Sequence, residues 1–203
     1  MFEEALFKSA DAALTFAYNF SGQSYDRPTM NRMADGPSRP GKGLSGLDGA
    51  GQAGLIRSEI AELGPFQVAI VTAFYAPHTL PCSCRRSCCS GSRENPEWAE
   101  AIGLITQMAI GQLSGHGSNH RLRRGIVTKC FRAKLSIIEL ADQCNVNRDT
   151  ASDHNAKIAL WLLGYRPKKP GQGQPIVGEI ERARIAAGER LHAAGFIGIA
   201  ACA

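Results

Sequence analysis

Residues 135–171 read LSIIELADQCNVNRDTASDHNAKIALWLLGYRPKKPG, and this stretch decides the fold. Ser136 suits the position before a helix, and Glu139 follows three residues later to complete a capping box. Ile137, Ile138, Leu140, Ala141 and Cys144 then form an apolar stripe, with Ala141 small enough for a second helix to cross closely. Asn145 stands where the chain must turn tightly. Asn, like Gly, tolerates the left-handed backbone such a turn needs. Val146 plugs the corner and Asn147 caps a second helix. Thr150, Ala151, His154 and Ile158 follow, and Ala159, Leu162 and Leu163 extend the core side. The expectation is two helices joined by a tight turn over 136–158.

Outward from this segment, helical periodicity continues. Residues 3–19, with Leu6, Ala10, Ala13, Leu14 and Ala17 at helical spacing and Glu3 and Glu4 at the N-terminal end, predict a helix. So do 55–63, with Leu55, Ile56, Ile60 and Leu63. The apolar run 65–76 suits either a buried helix or a strand, and Pro65 in the first turn favours helix. A further helix is expected over 96–113, with Trp98, Ile102, Ile105, Met108 and Ile110 as core, and a last one over 176–194, with Ile176, Ile180, Ile185 and Leu191 packing. The expected fold class is mainly α: a helical body with a C-terminal helix pair, a Gly/Pro-rich irregular segment near the N-terminus and a Cys-rich loop. The expected organisation is 1–54, then a body over 55–165 with the Cys-rich loop at 77–95, then a basic linker and helix over 166–203.

The stretch 20–54 is dense in Gly, Pro and Ser and poor in large apolar residues, so it cannot readily offset its own conformational entropy. It reads as a surface loop or linker, or as a functional loop ordered by a large partner. Arg27, Arg32, Arg39 and Lys42 make it mildly basic. Between Arg121 and Lys134 lie Arg121, Arg123, Arg124, Lys129, Arg132 and Lys134 with no acid. A solvated helix face and a phosphate-contacting face are both open readings. Arg166, Lys168 and Lys169 extend the basic character.

Four of the seven cysteines, Cys82, Cys84, Cys88 and Cys89, form a C-x-C-x3-C-C cluster. Thiolates are good zinc ligands, and four complete a tetrahedron. Arg85, Arg86 and Arg93 nearby favour the thiolate form. The spacing differs from paired zinc knuckles. His78 in place of one Cys, reduced structural thiols and reversible oxidation therefore stay open. Cys130 and Cys144 sit on apolar helix faces as packing residues.

The chain has 203 residues and a formal net charge of +5, with 44% hydrophobic and 20% charged residues. No apolar run approaches the roughly 20 residues a membrane helix needs. The acidic, n-region-free N-terminus predicts a cytoplasmic, nucleoid-associated protein without disulfides or membrane contact. No P-loop and no G-x-S-x-G occur, and Glu94, Glu97 and Glu100 lack an H-E pattern, so the expectation is a non-enzyme.

Residues 136–158 resemble the helix-turn-helix of bacterial DNA-binding proteins, with E-L-A-x-x-x-(G/N)-V-x-x-x-T carried by Glu139, Leu140, Ala141, Asn145, Val146 and Thr150. They depart in having Asn145 where Gly is usual and in placing Asp149 and Asp153 on the second helix. Those acids repel phosphate or accept from cytosine N4. The resemblance implies that Asn147, Arg148, Asp149, Ser152 and Asp153 face base edges in the major groove, with Arg148 the candidate for guanine. Lys157, Arg121, Arg123 and Arg124 then hold phosphates. An αα-hairpin without a DNA role is the alternative.

The order of parts (N-terminal helix, Gly/Pro-rich loop, helical body broken by a Cys cluster, then the helix-turn-helix) resembles the Q-type antitermination factors of lambdoid phages and their AlpA-like bacterial relatives. The resemblance implies a factor that binds double-stranded DNA near a promoter and engages bacterial RNA polymerase, with or without its sigma factor. It then narrows the RNA exit channel so that a terminator hairpin cannot form. Arg27, Arg32, Arg39 and Lys42 would then lie beside nascent RNA. The alternatives are a dimeric activator or repressor acting at initiation, a relative of the promoter-reading part of sigma factors, and a DNA recombinase.

Overall fold

The computed structural model describes residues 6–20, 46–82, 84, 90–113, 119–131, 134–167 and 173–198. Its secondary structure is mainly helical. The helices are α1 (Ala10–Asn19), α2 (Gly46–Ala61), α3 (Pro65–Tyr75), α4 (Pro96–Met108), α5 (His120–Cys130), α6 (Ile137–Cys144), α7 (Arg148–Leu163) and α8 (Glu179–Ala193), with a 3-10 turn at Ala109–Gln112. Two short antiparallel ribbons complete it: β1 (Thr79–Pro81) with β2 (Ser92–Glu94), and β3 (Gly164–Tyr165) with β4 (Ile176–Val177). Neither ribbon is expected from periodicity. Runs of two or three residues carry no alternation, and pairing with a distant partner defines them. No helix among the described residues is long and apolar enough to cross a membrane.

The chain divides into two compact units that interleave along the sequence, 1–64, 75–98 and 186–203 in one and 65–74 and 99–185 in the other. In the first unit, α1 begins at Ala10, later than the periodicity suggests, because Ser9 caps it: its Oγ accepts from Ala12 N at 3.2 Å. Residues 1–5, including Glu3 and Glu4, lie outside the described residues. Ala13, Leu14, Ala17 and Tyr18 bury one face of α1 against α2, which supplies Ala53, Ile56 and Ile60. The helix α2 starts at Gly46, so residues 46–54, expected to be irregular, are helical instead. Several glycines make this segment a poor helix former by itself. Gly49 and Ala53 are buried, and packing against α1 overrides the propensity. The Arg57 guanidinium lies 4.6 Å over the Tyr18 ring and reaches both Glu97 carboxylate oxygens at 2.7 Å. The Tyr75 hydroxyl donates to Asp11.

In the second unit α5, α6 and α7 pack on one another. Their core includes Leu122, Ile126, Val127, Phe131, Leu140, Ala141, Ala151, Ile158 and Leu162. The helix α5 crosses α6 at Gly125, where an added Cβ would come 2.7 Å from Leu140 Cδ2. Seven residues expected in the core or on an apolar helix face are exposed: Leu55, Met108, Ile110, Ile138, Leu163, Ile176 and Ile185. For two the cause is local. Ile110 sits in a 3-10 turn, which breaks the 3.6-residue period, and Ile176 belongs to β4 rather than to a helix.

A backbone-to-backbone contact ends α7. Gly164 follows the helix at φ +75 and ψ −166, a region open essentially to Gly alone. A Cβ there would lie 2.1 Å from Ile176 O, and one on Gly178 would lie 2.4 Å from Leu162 O. Neither site has room for a side chain. Gly164→Ala and Gly178→Ala should each destabilise the protein by about 3 kcal/mol or more. Gly54→Ala, in helical backbone with nothing within 4 Å, should stabilise it by about 0.5–1 kcal/mol. Urea unfolding of the three variants checks this, and equal effects at Gly164 and Gly54 would contradict it.

Candidate nucleic-acid interface

The turn between α6 and α7 is built by Asn145, at φ 52 and ψ 48. It is the one non-glycine residue with positive φ among the described residues. Asn145 N donates to Asp142 O at 3.2 Å and Val146 N to Ala141 O at 3.0 Å, which closes the end of α6. Asn147 Oδ1 accepts from Asp149 N at 2.7 Å and caps α7, as the sequence predicts. Ser136 departs from expectation. Its carbonyl accepts from Leu140 N at 3.0 Å, but its hydroxyl makes no capping bond, so the expected capping box is not formed. Ser136 is exposed, so solvent can serve the free donors of this first turn.

The first turns of α7 present Arg148, Asp149, Ser152 and Asp153, all exposed, while Ala151 between them is buried. Arg148 Nη2 lies 3.2 Å from Asp142 Oδ2, and Lys157 Nζ lies 2.8 Å from Asp153 Oδ2. Asn147 is exposed, with its Oδ1 engaged in the cap.

The basic helix α5 is positioned by Asn119. Its Oδ1 accepts from Arg121 N at 2.9 Å and Leu122 N at 3.3 Å, and its Nδ2 donates to Cys144 O at 3.2 Å. One amide thus caps the start of α5 and the end of α6. The four expected cations of this segment and α7 differ in availability. Arg121 is exposed. Arg124 is half-buried, with Nη1 3.5 Å from Ala99 O. Lys157 is exposed and ion-paired. Arg123 is buried, and its Nε donates to Thr106 O at 2.9 Å. Thr106 lies in the last turn of α4, where carbonyls lack partners along the helix. The expectation of Arg123 as a phosphate ligand is therefore corrected: it is a structural cap, and burial pulls its pKa below the usual value. The spacing carried the signal, since Arg123 shares a helix face with Val127 next to Leu122 and Ile126.

Cys82 and Cys84 follow β1 and are not joined in a disulfide. Cys82 N donates to Gly91 O at 2.9 Å, so the ribbon holds residues 82 and 91 side by side. Cys88 and Cys89 lie outside the described residues, as do Arg27, Arg32, Arg39, Lys42, Lys168 and Lys169. His78 lies against Trp98 with ring centroids 4.4 Å apart and the planes tilted by 34°. Among the described residues no group of three or more His, Cys, Asp or Glu side chains is placed to hold a metal. Burial pushes the Cys130 thiol up to about 11.

Arg123→Ala should cost about 2–3 kcal/mol, because it leaves a cavity and an unpaired buried carbonyl. Arg121→Ala should stay within about 0.5 kcal/mol. Chemical denaturation measures both. For Cys130, the folded thiol keeps its proton above the ordinary value of 9.0. Its contribution is fully present below pH 9 and is lost as pH rises from about 9 to about 11. Stability curves of the wild type and Cys130→Ala should therefore converge over that interval.

Comparison with known protein families, curated proteins and solved structures finds no match to this chain.

Proposed function

We propose that α6 and α7 form a helix-turn-helix that reads double-stranded DNA, and that the chain is a transcription antitermination factor acting on bacterial RNA polymerase. The observation that carries the DNA reading is the left-handed Asn145 turn, followed at once by a helix with five exposed polar side chains in its first turns, Thr150 among them. In this motif the start of the second helix meets base edges. Arg148 is the guanine candidate, with Asn147, Asp149, Ser152 and Asp153 beside it. Arg121, Arg124 and Lys157 are the phosphate candidates, and Arg123 is not among them.

The antitermination part rests on the resemblance in the order of parts. The segment with Arg27, Arg32, Arg39 and Lys42 would act at the RNA exit channel. Zinc at Cys82, Cys84, Cys88 and Cys89 belongs to the same proposal, supported by the donor chemistry and by the ribbon that leads into the cluster. The chain is then not an enzyme, and its partners are DNA, the polymerase and nearby nascent RNA.

In vitro transcription on a template carrying the bound site separates this from a regulator of initiation. The protein should raise readthrough of an intrinsic terminator. A change confined to initiation would favour the activator or repressor. Arg148→Ala should weaken specific binding by about 1–3 kcal/mol and flatten the preference at one base. Arg121→Ala should weaken binding to all sequences and reduce the salt slope. Replacing much of 20–45 by a shorter Gly/Ser linker should abolish readthrough while leaving DNA binding nearly intact. Elemental analysis should find about one zinc per chain.

A further inference from the structure

We propose that Asp142 is a positioning residue for Arg148. Its carboxylate, near the end of α6, holds the guanidinium of α7 in an arrangement that leaves a pair of N–H donors free for a guanine edge. This rests on the DNA reading given above.

The geometry is specific to the turn. Arg148 Nη2 lies 3.2 Å from Asp142 Oδ2 and 3.4 Å from Oδ1, across the corner that Asn145 makes. Among the described residues Asp142 is the only hydrogen-bond partner of Arg148 and it engages Nη2 alone, so the second Nη2 N–H stays available together with the neighbouring N–H on its edge of the guanidinium. A bidentate contact to guanine O6 and N7 needs two donors on one edge of the guanidinium plane. With Nη2 turned toward Asp142, the guanidinium is biased toward one orientation before DNA arrives. Less ordering then remains to be done on binding.

The charges around the turn argue for positioning rather than simple attraction. The helices α6 and α7 carry Glu139, Asp142, Asp149 and Asp153 against Arg148 and Lys157. Acids outnumber Lys and Arg there, and both cations are ion-paired, Lys157 along its own helix to Asp153 at 2.8 Å. Such a surface draws phosphate weakly. Its affinity has to come from directed contacts, and a directed arginine gains most from a fixed orientation. Both side chains of the Asp142–Arg148 pair are more than half exposed, at 58% and 63%. The pair adds little to stability, so it can be altered without unfolding the chain.

Removing the carboxylate should therefore change specific and non-specific binding in opposite directions. One less acid beside the backbone strengthens binding to any duplex, and a freely rotating Arg148 weakens discrimination. A merely structural role would weaken both together.

The experiment is selection from random duplexes by the full chain. Affinities for the selected and a scrambled duplex follow, at two salt concentrations, for wild type, Arg148→Ala, Asp142→Asn and Asp142→Glu. Asp142→Asn should bind the scrambled duplex more tightly, cut the ratio of selected to scrambled affinity by about two- to fivefold, and flatten preference at the same base position as Arg148→Ala. Asp142→Glu should restore most of the ratio. Asp142→Asn combined with Arg148→Ala should be no less selective than Arg148→Ala alone. The thermal midpoints should match the wild type. If Asp142→Asn keeps the wild-type ratio while Arg148→Ala flattens one position, the positioning role is wrong and the DNA reading stands. If the wild type enriches no sequence, the DNA reading fails and the role of Asp142 fails with it.

Discussion

The second unit depends on a place where the chain passes itself at backbone distance. Gly164, leaving α7, and Gly178, about to enter α8, meet with no side chain between them. The contact is possible because Gly164 adopts a conformation closed to other residues. It fixes where α7 stops and where β4 turns into α8, and it sets the two-residue register of Gly164 with Val177 and Tyr165 with Ile176. At the other end of α7, Asn145 makes the complementary demand, a left-handed residue that begins the turn into the helix. The helix that carries the candidate base contacts is thus set at both ends by backbone conformations few residues tolerate. Its exposed side chains are thereby left free of any task in the fold.

Sequence periodicity and cap chemistry made part of this legible. The boundaries of α6, the start of α7, the left-handed Asn145 and the Asn147 cap follow from local rules, because each depends on residues within one or two turns. The elements that escaped depend on partners far along the chain. The start of α2 in a glycine-rich run is decided by packing on α1, which outweighs a propensity deficit of about 1 kcal/mol per Gly. The ribbons are too short to have a period. Arg123 was counted with its basic neighbours because charge was weighed before helical phase. Its phase alone puts it on the face of Val127, and Thr106 offers it a carbonyl.

The buried arginine also changes what α5 offers. Taking a guanidinium out of water is unfavourable unless its donors find acceptors, and the Nε of Arg123 finds one at the last turn of α4. Breaking the contact would strand a charge, so it is a strong tether between α4 and α5. Asn119 tethers the other neighbour, since its amide serves α5 and α6 together. With both tethers in place, Arg121 projects from a helix whose start is fixed. In a run of basic residues, those held by carbonyls build the scaffold, and those left outside it can meet a partner.

This division bears on how a DNA reader with acids on its second helix could work. Long-range attraction scales with the number of phosphates neutralised. Of the nine residues first assigned to DNA, Arg123 is buried, Arg148 and Lys157 are paired with acids, and Asp149 and Asp153 repel phosphate. Among the described residues of that set, what remains for phosphate is concentrated on α5, chiefly Arg121. Binding on that basis would be weakly salt-dependent and modest in strength, with a large share of its free energy in contacts to bases. A regulator that had to hold its operator alone would be poorly served by such a surface. A factor delivered to a site where a larger machine already sits on the DNA needs only to distinguish that site. On the proposed DNA reading, the charges of the described residues suit a reader assisted by a larger machine better than one that must hold its operator alone.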